Sequence, residues 1–193
     1  MSTAVILAGG LSLRMGFDKK ELLIDNESLL ENQIKTLSTQ FDHILIISNK
    51  GKRKYTEYPK VTVYQDILKN YGPLGGIHAA LKYSQDPFVY VIACDMPVIN
   101  HKYIDYLRSL LNNQDAVVTR FGDWIEPFHA YYNQSMVDTI ERYLKSGRRS
   151  IYELLKHQDV TYIEEDITRS YTSDWGLFHN INTKEDLNQN NII

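Results

Sequence analysis

Short apolar runs alternate with amphipathic segments along most of the chain, and this alternation limits the possible folds more than any other feature. The apolar runs have the length of buried strands, and the segments between them have the spacing of helices that cover a sheet. Alternating strands and helices form parallel βαβ units. We therefore predict a single α/β domain over residues 1–193, with a three-layer, doubly wound, mostly parallel sheet of Rossmann-like type.

The elements follow from these patterns. The predicted strands are Ala4–Leu7, His43–Ile47, Val61–Tyr64, Val89–Ala93 and Ala116–Thr119. The predicted helices are Ser28–Leu37, Leu74–Tyr83, Lys102–Leu111, Gln134–Leu144, Ile151–Lys156 and a short one from Asn182 or Thr183 to Leu187. We expect the longest irregular stretch near Ile167–Asp174. Ligands of doubly wound sheets bind beyond the carboxyl ends of the strands, so the residues that follow the strands are the candidates for function.

The composition and net charge of the chain limit the kinds of partner that it can bind. The net charge of -3 argues against a broad nucleic-acid interface, which needs a basic face. No apolar run approaches the roughly 20 residues that a membrane span requires. The single cysteine, Cys94, cannot form an internal disulfide, and Met1 stands almost directly before the first strand, which leaves no room for a signal peptide. We therefore expect a cytoplasmic protein without a nucleic-acid or membrane partner.

The segment Leu7–Lys20 follows the first predicted strand and combines two adjacent glycines with two cations. Gly9 and Gly10 lack a Cβ, so their backbone can approach a ligand closely and turn several N–H groups toward one anion. Arg14 and Lys19 add a forked and a compact positive charge. We predict that this loop binds a triphosphate. The alternative is a plain turn without a ligand.

Acidic side chains follow two of the other strands. Asp95 comes at the carboxyl end of a strand, and Pro97 ends the strand pairing just beyond it. A carboxylate there can hold Mg²⁺, which one or two carboxylates and substrate phosphates typically bind; the alternative is a turn aspartate bonded to its own backbone. Asp66 ends another strand and could face the same crevice, or it could be an exposed loop carboxylate.

The segment Leu7–Lys20 resembles the signature L-A-G-G-x-S-x-R-M-G-x-D-K of the nucleotidyltransferases that activate sugars, alditols and pterins, and most closely that of the molybdenum cofactor guanylyltransferases. Further resemblances follow in the family's order over nearly the whole chain. They are G-P-L-x-G-I at Gly72–Ile77, D-x-P at Asp95–Pro97, and F-x-N-x-N-T-x-E-D-L at Phe178–Leu187, where Lys184 replaces a proline.

One stretch departs from the family's pattern. Glu126–Tyr132 resembles H-P-x-x-A-L-Y, but Glu126 and Phe128 replace the typical residues, and His129 is shifted from the usual place of the histidine. We therefore assign no family role to His129. A lone histidine in an apolar strand is more often a core residue.

The resemblance implies a nucleotide-diphospho-sugar transferase fold and the transfer of GMP from GTP to the phosphate of molybdenum-bound molybdopterin, which releases pyrophosphate. It implies that Arg14, Lys19 and Asp95 are catalytic, with Asp95 as the ligand of a Mg²⁺ cofactor. The predicted nucleotide-binding residues are Leu7, Ala8, Gly9, Gly10, Ser12, Lys19, Asn49, Asp66, Leu74, Gly75 and Asp95. In the resembling enzymes the segment with Leu74 and Gly75 lies near the purine base; without a ligand it would be a helix-start turn.

We expect the acceptor in the last third of the chain, at about 121–187, and the nucleotide at about 1–120. Arg148 and Arg149 could grip an anionic phosphate through paired hydrogen bonds, or they could be a solvated face. Asn180 and Asn182 alternate, so in an extended segment both amides point to one side and could contact a pterin. Helix capping by Asn182 or Thr183 is the alternative, and it does not exclude ligand contact by Asn180.

Three other functions stay open. The same scaffold could transfer CMP to molybdopterin or activate a sugar phosphate, and it could also be a nucleotide-binding regulator without turnover. The presence of Arg14, Lys19 and Asp95 argues against a regulator, because a protein that only binds nucleotide could dispense with the metal ligand. Proteins that deliver or receive the cofactor are possible partners.

Overall fold

The computed structural model of the protein describes residues 1–8, 23–24, 27–49, 55, 57–172 and 175–181. Within these residues the strands are β1 (Thr3–Leu7), β2 (Leu23–Ile24), β3 (Glu27–Ser28), β4 (His43–Ile47), β5 (Val61–Tyr64), β6 (Phe88–Ala93), β7 (Ala116–Phe121), β8 (Trp124–Asn133) and β9 (Val160–Ile163). The helices are α1 (Leu29–Ser38), α2 (Gly72–Tyr83), α3 (His101–Ser109), α4 (Val137–Lys145), α5 (Ile151–Leu155) and α6 (Glu165–Arg169). Short 3-10 helices span Gln134–Met136 and Gly176–Phe178.

Seven strands form one sheet in the order β5-β4-β1-β6-β8-β7-β9, while β2 and β3 form a separate antiparallel pair. β1 lies at the centre of the parallel part, between β4 and β6, and β5 extends this part beside β4. β8 runs antiparallel to both β6 and β7, and β9 is parallel to β7. The predicted mostly parallel sheet is therefore confirmed, with one reversed strand inside it.

Helices cover both faces of the sheet. In β1 the alternate residues Val5 and Leu7 face the core that holds side chains of α2, α4 and α5. Ala4 and Ile6 face the opposite core, which holds side chains of α1 and α3. Because successive side chains of a strand point to opposite faces, a fully apolar strand such as β1 requires a cover on each side. The predicted three-layer arrangement is confirmed.

The five predicted strands and the predicted helices within the described residues occur, with ends that differ by up to three residues. In α1 the Ser28 hydroxyl accepts from Glu31 N while the Glu31 side chain accepts from Ser28 N, as the capping box requires. The final helix predicted from Asn182 or Thr183 lies outside the described residues. No helix within the described residues is long and apolar enough to cross a membrane.

Two strands of the main sheet are absent from the predicted set. β9 is short and only partly buried, so its apolar signal is weak. β8 carries Glu126, Pro127 and His129, which interrupt its apolar pattern. The pairing of β7 with β8 shifts register between Val117 and Thr119, next to the proline that has no N–H to donate. The irregular stretch predicted near Ile167–Asp174 is also partly wrong, because α6 occupies its beginning.

Candidate active site

The candidate site lies where the parallel strands end. Backbone hydrogen bonds continue past the strands at this edge: Ala8 N donates to Ile47 O at 2.8 Å, and Ser48 N donates to Tyr64 O at 2.9 Å. On the other side of β1, Cys94 N donates to Leu7 O at 3.1 Å. The ends of β5, β4, β1 and β6 are thus held together, and the predicted site residues that follow each strand share one edge.

Asn49, after β4, and Asp66, after β5, bind each other. The Asn49 amide Nδ2 donates to Asp66 Oδ2 at 2.6 Å, and its Oδ1 accepts from Asp66 N at 3.2 Å. Partial burial raises the pKa of the Asp66 carboxyl, and the hydrogen bond from Asn49 opposes that shift. Two of the predicted nucleotide-binding residues therefore form one polar unit.

The start of α2 packs tightly against these strand ends. A Cβ on Gly75 would lie 2.9 Å from Leu68 O, and one on Gly76 would lie 3.0 Å from Leu7 Cδ2 and 3.8 Å from Asp66 Oδ1. Gly75 therefore requires the absence of a side chain, because a Cβ would meet a backbone oxygen, whereas a Cβ on Gly76 would require the end of the Leu7 side chain to shift. Leu74 is 1% exposed, and its side chain packs in the core. Gly76 is thus the residue of α2 that lies against the end of β1 and Asp66, and contact of Leu74 and Gly75 with a nucleotide stays a prediction.

The turn that carries Asp95 is held by three separate parts of the chain. From β1 comes the hydrogen bond of Cys94 N to Leu7 O. From α1, the Gln33 amide Nε2 donates to Ala93 O at 2.9 Å and to Met96 O at 2.7 Å. From the last described segment, Ile181 N donates to Asp95 O at 2.7 Å. The backbone on both sides of the Asp95 carboxyl is therefore fixed.

Glu126 of β8 is a second carboxylate near Asp95. The β6–β8 ladder ends at the pair of Val91 and Ala130, before the irregular part of β8, and the charge of Asp95 acts on the Glu126 carboxyl beyond it. Burial raises the pKa of Glu126 to about 7; the Phe128 N–H, 3.3 Å from Oε1, opposes the shift, and the charge of Asp95 adds to it. Two carboxylates are an oxygen donor set that suits Mg²⁺, which takes its other ligands from phosphates and water.

The predicted acceptor residues lie in two places. Asn180 is exposed and adjoins Ile181, whose N–H binds the Asp95 turn. Arg149 lies over the ring of Tyr71, the residue before α2, with 5.4 Å from its Cζ to the ring centroid. Arg148 instead lies 5.8 Å from the ring centroid of Tyr143, in α4. The two arginines thus lie over different aromatic rings, one directly before α2 and one in α4.

His129 is a core residue, as its apolar surroundings predict. It is 0% exposed, and its Nδ1 lies 2.6 Å from the Tyr90 hydroxyl. Burial lowers the pKa of His129 to about 3, so the ring is neutral near pH 7. Its φ of 49° is unusual for a residue with a side chain and falls where β8 shifts register.

Several predicted site residues lie outside the described residues. They are Gly9, Gly10, Ser12, Arg14, Lys19 and Asn182.

Gln33 and Glu126 contact this site but are absent from the predicted set. Gln33 had a visible signal, because it interrupts the apolar stripe of α1 at a position that faces the sheet. The sequence signal for Glu126 was weaker: this glutamate replaces a residue that is typical of the family. Nothing local in the sequence indicates that β8 reverses direction and brings this carboxylate to the edge where β6 ends.

A doubly wound sheet whose strand ends gather polar and acidic side chains at one edge defines the class of nucleotide-binding α/β proteins. Within that class, the sequence profile of the MobA-like NTP transferase domain matches residues 4–161. The chain belongs to this family.

Named relatives and a solved structure agree with this family. A probable molybdenum cofactor guanylyltransferase of Peptoclostridium acidaminophilum is 43% identical, over 97% of this chain and 87% of that protein. A molybdenum cofactor guanylyltransferase of Syntrophotalea carbinolica is 46% identical, over 95% of this chain and 88% of that protein. The crystal structure of molybdopterin-guanine dinucleotide biosynthesis protein A from Archaeoglobus fulgidus superimposes with a TM-score of 0.82 at 27% identity, covering 97% of this chain and 96% of that one.

Proposed function

We infer that this protein transfers GMP from GTP to molybdenum-bound molybdopterin, forming the guanine dinucleotide cofactor and pyrophosphate. Relatives that carry the guanylyltransferase name align with nearly the whole chain, which supports this reaction. The observation that carries the proposal is the Asp95 turn. Its backbone binds the end of β1, where the glycine-rich segment begins, and the segment that contains Asn180. The segments that precede the predicted nucleotide loop and that contain the predicted acceptor residue Asn180 are therefore both bonded to this turn, which supports the proposal.

The reaction is an in-line displacement at the α-phosphorus of GTP. An oxygen of the acceptor phosphate forms the new P–O bond as the bond to the β-phosphate breaks, and pyrophosphate carries the electron pair away. The acceptor phosphate is already ionised, so no side chain has to remove a proton. Both reactants are anionic, so catalysis depends on positioning them and on offsetting their charge.

Each group of residues has a role in that task. Arg14, Lys19 and the backbone of Gly9 and Gly10 would bind the phosphates and stabilise the pyrophosphate as it leaves. The paired side chains of Asn49 and Asp66 would contact the nucleoside, and Ser12, Leu7 and Ala8 would line the phosphate segment. Asn180, Asn182, Arg148 and Arg149 would bind the acceptor.

Asp95 would hold the Mg²⁺ cofactor. The carboxylates of Asp95 and Glu126 provide oxygen donors of the kind that Mg²⁺ prefers, in a number that leaves room for phosphate ligands. A bound Mg²⁺ would neutralise phosphate charge at the reacting phosphorus. Asp95 contributes its fixed position, because the backbone on both sides of it is hydrogen-bonded.

The decisive experiment incubates the protein with GTP, Mg²⁺ and molybdenum-loaded molybdopterin and identifies the product by mass spectrometry. We expect molybdopterin guanine dinucleotide and one pyrophosphate per turnover. Parallel reactions with CTP and with sugar phosphates test the other nucleotidyl transfers, and faster turnover in either would overturn the guanylyl assignment. If no triphosphate and acceptor pair gave any pyrophosphate release, the protein would be a nucleotide-binding regulator without turnover. The cytoplasm stays the predicted location.

A further inference from the structure

Gln33 is a polar side chain in a helix face that is otherwise apolar. The buried residues of α1 are Leu29, Leu30, Gln33, Ile34 and Leu37, and Gln33 is 0% exposed. Burying an amide is unfavourable unless hydrogen bonds replace its water. A methionine of similar length could fill this volume without that cost, so packing alone does not account for a glutamine here.

The hydrogen bonds of Gln33 explain its position. Both go from Nε2 to backbone carbonyls, at 2.9 Å to Ala93 O and 2.7 Å to Met96 O. These two carbonyls lie on either side of the pair Cys94 and Asp95. One amide therefore closes the turn that carries the carboxylate, and it does so from α1 rather than from the strand itself.

The other contacts of the turn do not duplicate this one. Met96 N donates to Ala93 O at 3.2 Å within the turn, Cys94 N donates to the end of β1, and Ile181 N donates to Asp95 O. In each case the donor is a backbone N–H, which no substitution except proline removes. Of the hydrogen bonds described for the turn backbone, those from Gln33 are the ones that a side-chain substitution can delete.

We propose that Gln33 is a positioning residue for the Asp95 carboxylate: it fixes the turn after β6 so that this carboxylate meets the divalent cation bound with the nucleotide. This inference rests on the proposed function for its metal site. Gln33 touches neither substrate nor cation. Partners that orient a metal ligand in this way typically change metal affinity or activity by about 10- to 100-fold when they are removed.

The test replaces Gln33 by methionine and measures binding of Mn²⁺, used as a paramagnetic substitute for Mg²⁺, by electron paramagnetic resonance in the presence of GTP and without acceptor. We expect Gln33→Met to weaken Mn²⁺ binding about tenfold. Binding unchanged from the wild type would overturn the proposal. Should that variant fail to fold, Gln33→Glu keeps the length but faces the two carbonyls with a carboxylate, and it should show at least the same loss.

The matched control is Gln114→Met. Gln114 is 6% exposed and also makes two backbone hydrogen bonds: its Nε2 donates to Leu110 O at 2.8 Å, and its Oε1 accepts from Asn112 N at 2.7 Å. It precedes β7, at the edge of the sheet opposite the candidate site. We expect unchanged Mn²⁺ binding in this variant. An equal loss in both variants would mean that any buried glutamine substitution loosens the fold, and the proposal would fail.

A double-mutant cycle separates positioning from a general structural effect. If Gln33 acts through Asp95, adding Gln33→Met to Asp95→Asn should not weaken Mn²⁺ binding further. Additive losses would overturn the proposal. These binding measurements need no turnover, so a protein that makes no guanine dinucleotide but shows the expected cycle would refute the proposed function alone.

Discussion

Two aspartates at the same edge of the sheet, Asp66 and Asp95, are held in different ways. Asp66 is held by one side chain, that of Asn49, which donates to its carboxylate at 2.6 Å and accepts from its backbone N–H at 3.2 Å. Asp95 is held through its backbone, by donors that come from α1, β1 and the segment that ends at Ile181. The neighbouring groups also differ: burial raises the pKa of the Glu126 carboxyl, and the charge of Asp95 adds to that shift.

The difference shows which task each carboxylate suits. The amide of Asn49 already satisfies part of the Asp66 carboxylate, so this pair is a preformed polar surface for hydrogen bonding. Two carboxylates close together repel each other, and a divalent cation relieves that repulsion. The Asp95 turn therefore has the electrostatics of a cation site on a fixed backbone, and the Asn49–Asp66 pair has those of a nucleoside contact.

The largest expected effect tests the metal side of this comparison. Asp95→Asn keeps the size of the side chain and the backbone hydrogen bonds of the turn but removes the charge. We expect turnover to fall by about 10²–10³, because one strong electrostatic contact in a reaction of this type is worth that much. Pyrophosphate release across a Mg²⁺ titration measures it. The control is Asp138→Asn, at an exposed position of α4, which should leave turnover unchanged. An unchanged Mg²⁺ dependence of turnover in Asp95→Asn would show that Asp95 does not belong to the metal site.

The next largest expected effect is the pH dependence of the free energy of unfolding, to which Glu126 contributes. Its pKa is raised from 4.5 to about 7, so the native state binds this proton more tightly than the unfolded state does. The free energy of unfolding should therefore fall as pH rises from about 4.5 to 7, by about 3.5 kcal/mol at most, at roughly 1.4 kcal/mol per pKa unit. Glu126→Gln should remove that loss in metal-free protein.

Urea unfolding at several pH values measures this difference. Glu126→Gln should be more stable than the wild type at pH 8 and equal to it below about pH 4. A constant difference at every pH would show that the substitution acts through packing and not through charge.

A smaller expected effect tests whether the pair of Asn49 and Asp66 contacts the nucleoside. Asn49→Ala removes the amide that supports Asp66, so we expect the KM for GTP to rise about tenfold, or about 1.4 kcal/mol in binding. The change in kcat should be much smaller than that of Asp95→Asn. Steady-state kinetics with varied GTP measures both constants. Loss confined to kcat would contradict the assignment of the Asn49–Asp66 pair to nucleotide binding.

The smallest effect concerns the acceptor. Asn180 is exposed and adjoins Ile181, whose N–H binds the Asp95 turn, so the Asn180 side chain is not part of the core. Asn180→Ala should raise the KM for the acceptor a few-fold, the cost of about one hydrogen bond, while the KM for GTP stays constant. Equal rises in both constants would mean that Asn180 supports the turn and does not contact the acceptor.

Much of the candidate site at the carboxyl edge of the sheet could be predicted, because the end of a strand can be recognised from a few neighbouring residues in the sequence. Asn49, Asp66 and Asp95 each follow an apolar run, and parallel strands bring such positions to one edge. The close packing of α2 was harder to predict, because the contact of Gly76 with Leu7 depends on how closely the helix meets the end of β1. Arg148 and Arg149 are neighbours in the sequence, yet their side chains lie on different aromatic rings.

The amino-acid sequence by itself determined the βαβ alternation, the apolar strands and the order of the family's motifs, since these depend on patterns within a few residues of one another. Only the tertiary structure decided that β8 runs against its neighbours and brings Glu126 toward Asp95, and that Gln33 closes the Asp95 turn from α1. Both contacts join residues that are distant along the chain. Their formation depends on strand direction and helix packing, which the burial of the whole apolar surface settles together.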